Sequence, residues 1–393
     1  MWLYLLIFAI PTLWYLFGDQ KSYQSVGALA LFLTFLAFFV GMSDMFGGYD
    51  RYIYGDVFDG IANITTVGGS YVQNNAFDSF ASEPGYTYIN IVLSWFTANR
   101  YIFILIYTLI IYTLLFVSLK RFADNYPIAL IVFMGLWFYF SFTYLRQVLG
   151  ATIAWLAIKY VIEKKLIKYL IVCFIVVTIH KSAIIFTPIY FITRTRYRSS
   201  VIIGLMIVAL GLGISPIPNA LFTAYGDNSS VEMQADYSAS GGLRVEYILE
   251  AFLFLYIFIT QRDNITKSRK NIVLYNIGII FCATLLFFAR SENGGRLSWY
   301  FMIGTIITTT NAVTKGVNRK LLSTGIIVLC LALYVRIFNA WQTANMSLYP
   351  YKTFLSNGVR EGDSMWEHYE YDNQYDVDKL YRTPFRFTPN FKR

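Results

Sequence analysis

Apolar residues run along this chain in long blocks separated by short polar or basic connections. A helix that crosses a bilayer needs about 20 mostly apolar residues, because the hydrocarbon layer is about 30 Å thick and each residue adds about 1.5 Å. Residues 101–119, 127–145, 271–289 and 297–314 meet this need without a charged side chain. Residues 1–17, 26–43, 199–216, 245–260 and 321–340 carry at most a few charges near their ends. Residues 147–162 add a span in which Lys159 can snorkel. Between Lys168 and Arg194 the apolar run is long enough for two short helices, broken at His180-Lys181 and bent at Pro188. The pattern predicts an all-α polytopic membrane protein of about twelve spans. The first apolar run has no basic leader and no small-residue cleavage site, so it is expected to stay as the first span. The halves show no internal repeat, which weakens an inverted-repeat transporter.

Composition agrees with the pattern and narrows the functions available. Only 14% of the 393 residues are charged and 56% are hydrophobic, whereas a soluble domain carries about 25% charged residues. A solvated enzyme, a disordered tail protein and a nucleic-acid binder are excluded on that ground. The net charge of +9 then records topology, since Lys and Arg collect in cytoplasmic loops. Basic clusters stand at Lys120-Arg121, Lys164/Lys165/Lys168, Arg194/Arg196/Arg198, Arg262/Lys267/Arg269/Lys270 and Lys315/Arg319/Lys320. The opposite, external side receives residues 44–100, the turns near 143–146 and 180–182, residues 217–244 and the turn 290–296. It also receives the tail 341–393, expected to cap a transmembrane domain of residues 1–340. Segment 86–98 is apolar but short, so an interfacial or re-entrant helix is expected there. Cys173, Cys282 and Cys330 lie in apolar runs and suggest neither a disulfide nor a metal framework.

Charge at a membrane edge is expensive and marks candidate chemistry. The first external loop opens G-G-Y-D-R-Y (47–52) and closes E-P-G-Y (83–86), offering Asp50 and Glu83 as carboxylates and Arg51 and Tyr86 beside them. Asp56 and Asp59 follow Asp50, but at no recognised metal-ligand spacing. Y-L-R-Q (144–147) sets Arg146 and Gln147 between two spans with almost no loop. A bound phosphate would relieve the cost of that guanidinium, and so would snorkelling to lipid phosphate. His180-Lys181-Ser182 interrupts an apolar stretch. His180 can take a proton near neutral pH, or simply bond a backbone carbonyl. Arg244, Glu246 and Glu250 open another span, and the turn A-R-S-E-N-G-G-R (289–296) supplies Arg290, Glu292 and Arg296 around a Gly-Gly that suits a diphosphate. An ion pair within that turn is the plainer use of the same residues. His368, in the tail, is expected to be an exposed residue.

The order G-G-Y-D-x-Y, E-P-G-Y, S-F-x-x-L-R-Q and H-K-S-A, followed by a Pro-containing apolar run and a late Arg, resembles the EpsG-like, Wzy-type polysaccharide polymerases of bacterial envelopes. The resemblance covers most of the membrane region, and nothing beyond about residue 340 contributes to it. It implies a GT-C-like glycosyltransferase of the inner membrane that joins undecaprenyl-diphosphate-linked oligosaccharide units at the periplasmic or external face, building an O-antigen, capsule or exopolysaccharide. Donor and acceptor are then both lipid-linked, the bilayer is a partner, nucleic acid is not, and a flippase and a chain-length regulator are candidate partners. No cofactor and no metal is expected. Arg146, Arg290 and Arg296, helped by Lys181, are assigned to the diphosphate. Asp50, then His180 or Glu83, is assigned to the base, with Arg51, Tyr86, Gln147, Arg244 and Glu250 as further substrate contacts. A lipid-linked oligosaccharide flippase, a polysaccharide ligase and a membrane acyltransferase are the competing functions.

Overall fold

The computed structural model describes residues 1–44, 49–73, 82–218, 220, 242–291, 294–345, 348–359 and 372–386. Gly47 and Gly48, most of the 217–244 loop, Glu292 and His368 lie outside the described residues. The helices are α1 (Trp2–Phe17), α2 (Val26–Gly41), α3 (Tyr49–Val67), α4 (Pro84–Ser94), α5 (Arg100–Phe122), α6 (Tyr126–Leu136), α7 (Leu145–Ile162) and α8 (Leu166–Ile179). They continue as α9 (Ile189–Ile192), α10 (Ser199–Ile214), α11 (Val245–Ile265), α12 (Arg269–Phe287), α13 (Met302–Lys315), α14 (Arg319–Asn345) and α15 (Gln374–Val377). Among the described residues there is no β-sheet, only an isolated antiparallel bridge between Ser43 and Thr353. Four helices, Arg100–Phe122, Leu145–Ile162, Arg269–Phe287 and Arg319–Trp341, are long and apolar enough to cross a bilayer, and several shorter apolar helices accompany them. The protein is an all-helical, polytopic membrane protein.

Several boundaries follow from local chemistry. Asn99 accepts from the amides of Tyr101 and Ile102, at 2.9 and 3.3 Å, satisfying donors that the first turn of α5 leaves free. Asn125 caps α6 through the amide of Ile128 at 3.1 Å. Lys120 and Arg121 end α5, where cations meet the negative end of the helix dipole.

The basic connections meet at one end of the bundle. Lys270 and Lys315 both reach Asp124, Arg196 pairs with Asp263 at 2.7 Å, and Nδ2 of Asn276 donates to the carbonyls of Thr193 and Thr195, both at 2.7 Å. At the other end α3, α4 and the described tail gather. The amide of Asp44 donates to Lys352 O at 2.9 Å, that of Ala98 to Thr383 O at 2.9 Å, and that of Arg386 to Phe96 O at 2.7 Å.

Three stretches differ from the sequence expectation. Residues 49–67 form a 19-residue helix where an irregular loop is expected. Tyr52, Val57, Phe58, Ile61 and Ala62 are buried along it, a helical spacing that the charged residues between them obscure. Residues 127–145 do not form one helix: α6 stops at Leu136, and 139–142 is a short 3-10 turn. Residues 294–301 are likewise 3-10, and the α-helix starts only at Met302. Backbone that leaves helical geometry inside a membrane protein needs other hydrogen-bond partners. For 294–301 they include Gln147 and Trp155, which donate to the carbonyls of Arg296 and Tyr300 at 2.9 and 3.0 Å; for 139–142 they include Arg51, which donates to the carbonyls of Phe142 (3.1 Å), Val40 (3.3 Å) and Ser43 (3.1 Å). This guanidinium is 1% exposed, so the expected substrate contact is, in the structure, a clamp on the ends of α2 and the 139–142 turn.

Candidate active site

The two irregular stretches and the break between α8 and residue 181 lie around one carboxylate. Glu83 immediately precedes α4, which Pro84 opens from the first-turn position it tolerates best. Its Oε2 receives Nη1 of Arg146. Its Oε1 lies 3.1 Å from Nδ1 of His180 and accepts the backbone N–H of Lys181 at 2.9 Å. Residues from α4, α7 and the α8 break are thereby tied together, although the sequence separates them widely. Gly85 permits the approach: a Cβ there would lie 2.4 Å from Thr178 Oγ1 and 3.0 Å from the Thr178 backbone, so the start of α4 could not reach the end of α8 with any other residue.

Arg146 is further enclosed by aromatic faces. Its guanidinium carbon stands 5.5 Å from the ring centres of both Tyr54 and Tyr86, cation–π distances that favour a retained charge. Tyr54 in turn donates to Asp50 Oδ2 at 3.4 Å, which puts Asp50 one residue behind Arg146. Beside His180, the Ser182 hydroxyl is 2.9 Å from Tyr300 OH and 3.4 Å from His180 Nδ1. Gln147 Nε2 donates to Arg296 O at 2.9 Å, and the Arg296 guanidinium lies 4.8 Å from the Tyr144 ring centre. The 294–301 turn thus joins the same assembly.

Protonation states follow from these contacts. Burial by itself pushes the Glu83 carboxyl up, but the hydrogen bond and charge of His180, the charge of Arg146 and the Lys181 amide outweigh it and hold the group at about 2. Burial pushes His180 down and Glu83 only partly offsets it, while Arg146 and Arg296 push in the same direction as burial. One arrangement satisfies both directions: a Glu83 carboxylate accepting Nδ1–H of a neutral His180. The Nε2 lone pair is then the basic position of the imidazole. A carboxylate that orients an imidazole by its Nδ1–H is how a histidine is prepared as a general base.

The remaining expected residues sit at other places. Lys181 contributes its amide to the cluster. Arg290 donates through Nη1 to Ile214 O at 3.2 Å, and Arg244 lies 4.0 Å from Glu246 while its amide donates to Ala289 O at 2.7 Å; both belong to the turn where α10, α11 and α12 meet. Glu250 lines a cavity with Arg296. Asp59 is committed elsewhere, to Arg100 and Tyr375. Among the described residues no three His, Cys, Asp or Glu side chains gather as a metal site would require. Tyr54, Ser182, Tyr300 and Arg336 escaped the sequence reading. Ser182 was visible within H-K-S-A and Arg336 as a charge inside an apolar run, whereas only folding brings the two tyrosines to the site.

An all-helical membrane fold with a carboxylate, an imidazole and a guanidinium at one end of the bundle defines the class. The model of the EpsG family matches residues 28–353, and the chain belongs to that family. It is therefore a membrane protein of polysaccharide biosynthesis, in a family associated with polysaccharide polymerisation. The matched range includes Glu83, Arg146, His180 and Arg296, and leaves out the 372–386 segment of the tail. Comparison with curated proteins and with solved structures gave no significant match.

Proposed function

We propose that the protein is a glycosyltransferase that polymerises undecaprenyl-diphosphate-linked oligosaccharide units, with its active site on the periplasmic or external face of the bacterial inner membrane and the chain crossing that membrane twelve times. The basic clusters at one end of the bundle support this orientation through the preference of Lys and Arg for the cytoplasmic side. The observation that carries the reading is the Glu83 carboxylate held between His180 and Arg146. Polymerisation requires an acceptor hydroxyl to lose its proton as it attacks the anomeric carbon of the donor, while the bond to the lipid diphosphate breaks. His180 is the base in this proposal, taking the proton at Nε2 with Glu83 fixing the ring. Arg146 stabilises the departing diphosphate, since a guanidinium carries several N–H donors in a fixed fork. Arg296, Lys181 and Arg290 add positive potential at the same end. Asp50, held to Tyr54 beside Arg146, is a supporting acid in this reading rather than the first choice as base.

The test is direct. Purified protein, incubated with its lipid-linked repeat unit, is expected to yield a ladder of longer glycans, and His180→Gln is expected to abolish the ladder at an unchanged protein level. Absence of a ladder from the wild-type protein overturns the polymerase, and an undiminished ladder from His180→Gln removes the histidine from the chemistry.

A further inference from the structure

Behind the 294–301 turn lies a cavity of about 230 Å³. Its wall includes Tyr144, Trp299 and Trp341, and its charged groups are Glu250, Arg296 and Arg336. The aromatic residues form a continuous patch: the ring centres of Tyr144 and Trp299 are 5.2 Å apart, and those of Tyr144 and Trp341 are 6.4 Å apart. Phe140 lies 4.5 Å from Trp299 and 5.7 Å from Trp341 and backs the patch. Glu250 comes from α11 and Arg336 from α14, two charges drawn from within apolar helices to a common space. Such charges are costly in a membrane protein and are kept where they line a polar cavity or a binding site.

The chemistry of the lining selects a ligand. The rings of Trp299 and Trp341 stand at 56° and 75° to that of Tyr144, so the wall is angled and offers both faces and edges to the C–H groups of a ring. One carboxylate accepts hydrogen bonds from hydroxyls, and two guanidinium groups donate to ring and hydroxyl oxygens. An apolar cavity of about 150 Å³ already holds benzene, so 230 Å³ admits a six-membered ring with substituents. It is smaller than the several hundred Å³ typical of sites that enclose a whole drug-sized molecule. Arg296 belongs to the turn that Gln147 ties to α7, next to Arg146, so a ring held here is adjacent to the Glu83 cluster.

We infer that this cavity is a pyranose-binding subsite, with the angled rings of Tyr144, Trp299 and Trp341 packing around one sugar ring and Glu250 and Arg336 bonding its hydroxyls. The inference deepens the proposed polymerase by giving one sugar of the lipid-linked glycan its own pocket, separate from the groups that act on the bond. Arg296 stands between pocket and cluster and fixes their relative register.

Binding of simple sugars tests the subsite without needing turnover. The full chain in nanodiscs is titrated with the methyl pyranosides of glucose, galactose, N-acetylglucosamine and glucuronic acid while tryptophan fluorescence is read. At least one glycoside is expected to give a saturable change. Glu250→Gln and Trp341→Leu are expected to weaken it at least tenfold, while Arg146→Lys leaves it within twofold. Ser298, buried in the same wall, supplies a second readout: the thiol introduced by the mild Ser298→Cys is expected to react with a small thiosulfonate reagent, and the bound glycoside to slow the reaction at least fivefold. No saturable change with any of the four, or one that Glu250→Gln and Trp341→Leu leave intact with the introduced thiol unprotected, overturns the subsite. The polymerase stands or falls separately on its ladder: sugar binding without a ladder removes the polymerase alone, and a ladder without sugar binding removes the subsite alone.

Discussion

Two buried carboxylate–guanidinium pairs stand at the same end of this bundle, and they are built differently. Asp59 Oδ2 takes both Nε and Nη2 of Arg100, at 2.8 and 2.5 Å, and Oδ1 takes Tyr375 OH at 3.0 Å. The Tyr375 ring also lies 4.5 Å from the Arg100 guanidinium carbon, and the two charged side chains are only 1% and 6% exposed. Glu83 also has every oxygen engaged, yet its partners Arg146 and His180 each keep 22% of their side-chain surface accessible. The two acids are thus alike in burial and in having both oxygens engaged, but burial leaves the Asp59 carboxyl above its ordinary value while His180 and Arg146 hold that of Glu83 below. Access to the partner and the presence of an imidazole that can change its proton count separate them further. The first pair locks α3, α5 and the tail together; the second leaves partly accessible the groups that the proposed reaction would use.

The largest effect that would break this distinction is on turnover. His180→Gln keeps a side chain of similar reach but no basic ring nitrogen, and glycan ladder formation is expected to fall about 10²–10⁴-fold with normal accumulation of protein. Arg100→Ala is expected to do the reverse. It strands the Asp59 carboxylate, and losing one partner of a buried pair costs about 3–5 kcal/mol; thermal unfolding of the detergent-solubilised chain reads it, while activity per folded molecule is retained. Equal activity losses per folded molecule in the two variants would erase the contrast.

The pH dependence sharpens it further. The Glu83 carboxyl is held at about 2 in the folded protein, below its ordinary value of about 4.3. Its stabilisation is therefore complete above the ordinary value and lost only as pH falls through the folded value, so neutral pH leaves the pair intact. The acid limb of the activity profile belongs instead to His180, whose burial moves it below its ordinary value. The limb is expected below about pH 6.5. Glu83→Gln removes the group that favours the imidazolium, so the residual activity is expected to show that limb at still lower pH. A limb that moves upward would deny the hydrogen bond between them.

Smaller effects are expected one layer out. Asp50→Asn weakens a 3.4 Å contact to Tyr54 rather than removing the base, and activity within about tenfold of wild type is expected, well short of the general-base range. A loss as deep as that of His180→Gln would return the base to Asp50. Tyr375→Phe deletes only the hydroxyl bonded to Asp59, and about 1 kcal/mol of stability is expected to go with it, read by the same unfolding measurement with no change in the ladder.

The apolar blocks announced the helices well, because span length and charge exclusion are local properties. The 3-10 geometry of 139–142 and 297–301 was not legible, since both lie in apolar runs that read as parts of spans, whereas the turn at Gly294-Gly295 was. Their carbonyls find partners such as the Arg51 guanidinium only across the fold. Glu83, Arg146 and His180 stood out singly as costly charges, but their meeting depends on Gly85 letting α4 reach α8, a contact between distant positions. Arg51 and Asp59 carried the same outward signal of a charge near a motif, and packing turned both to structural use. Arg336 carried the signal too and was hidden inside a run read as a span.

The bond from Tyr375 to Asp59 joins residues 316 positions apart, which gives the tail a place in the order of assembly. When α3 and α5 first leave the ribosome, Asp59 has Arg100 within reach and nothing yet to occupy its second oxygen. The segment 372–386 then arrives from outside the family match and seals it. A chain terminated after residue 353 would contain Glu83, Arg146 and His180 and still lack Tyr375, so the tail bears on how this end of the bundle is closed and not on the make-up of the candidate site.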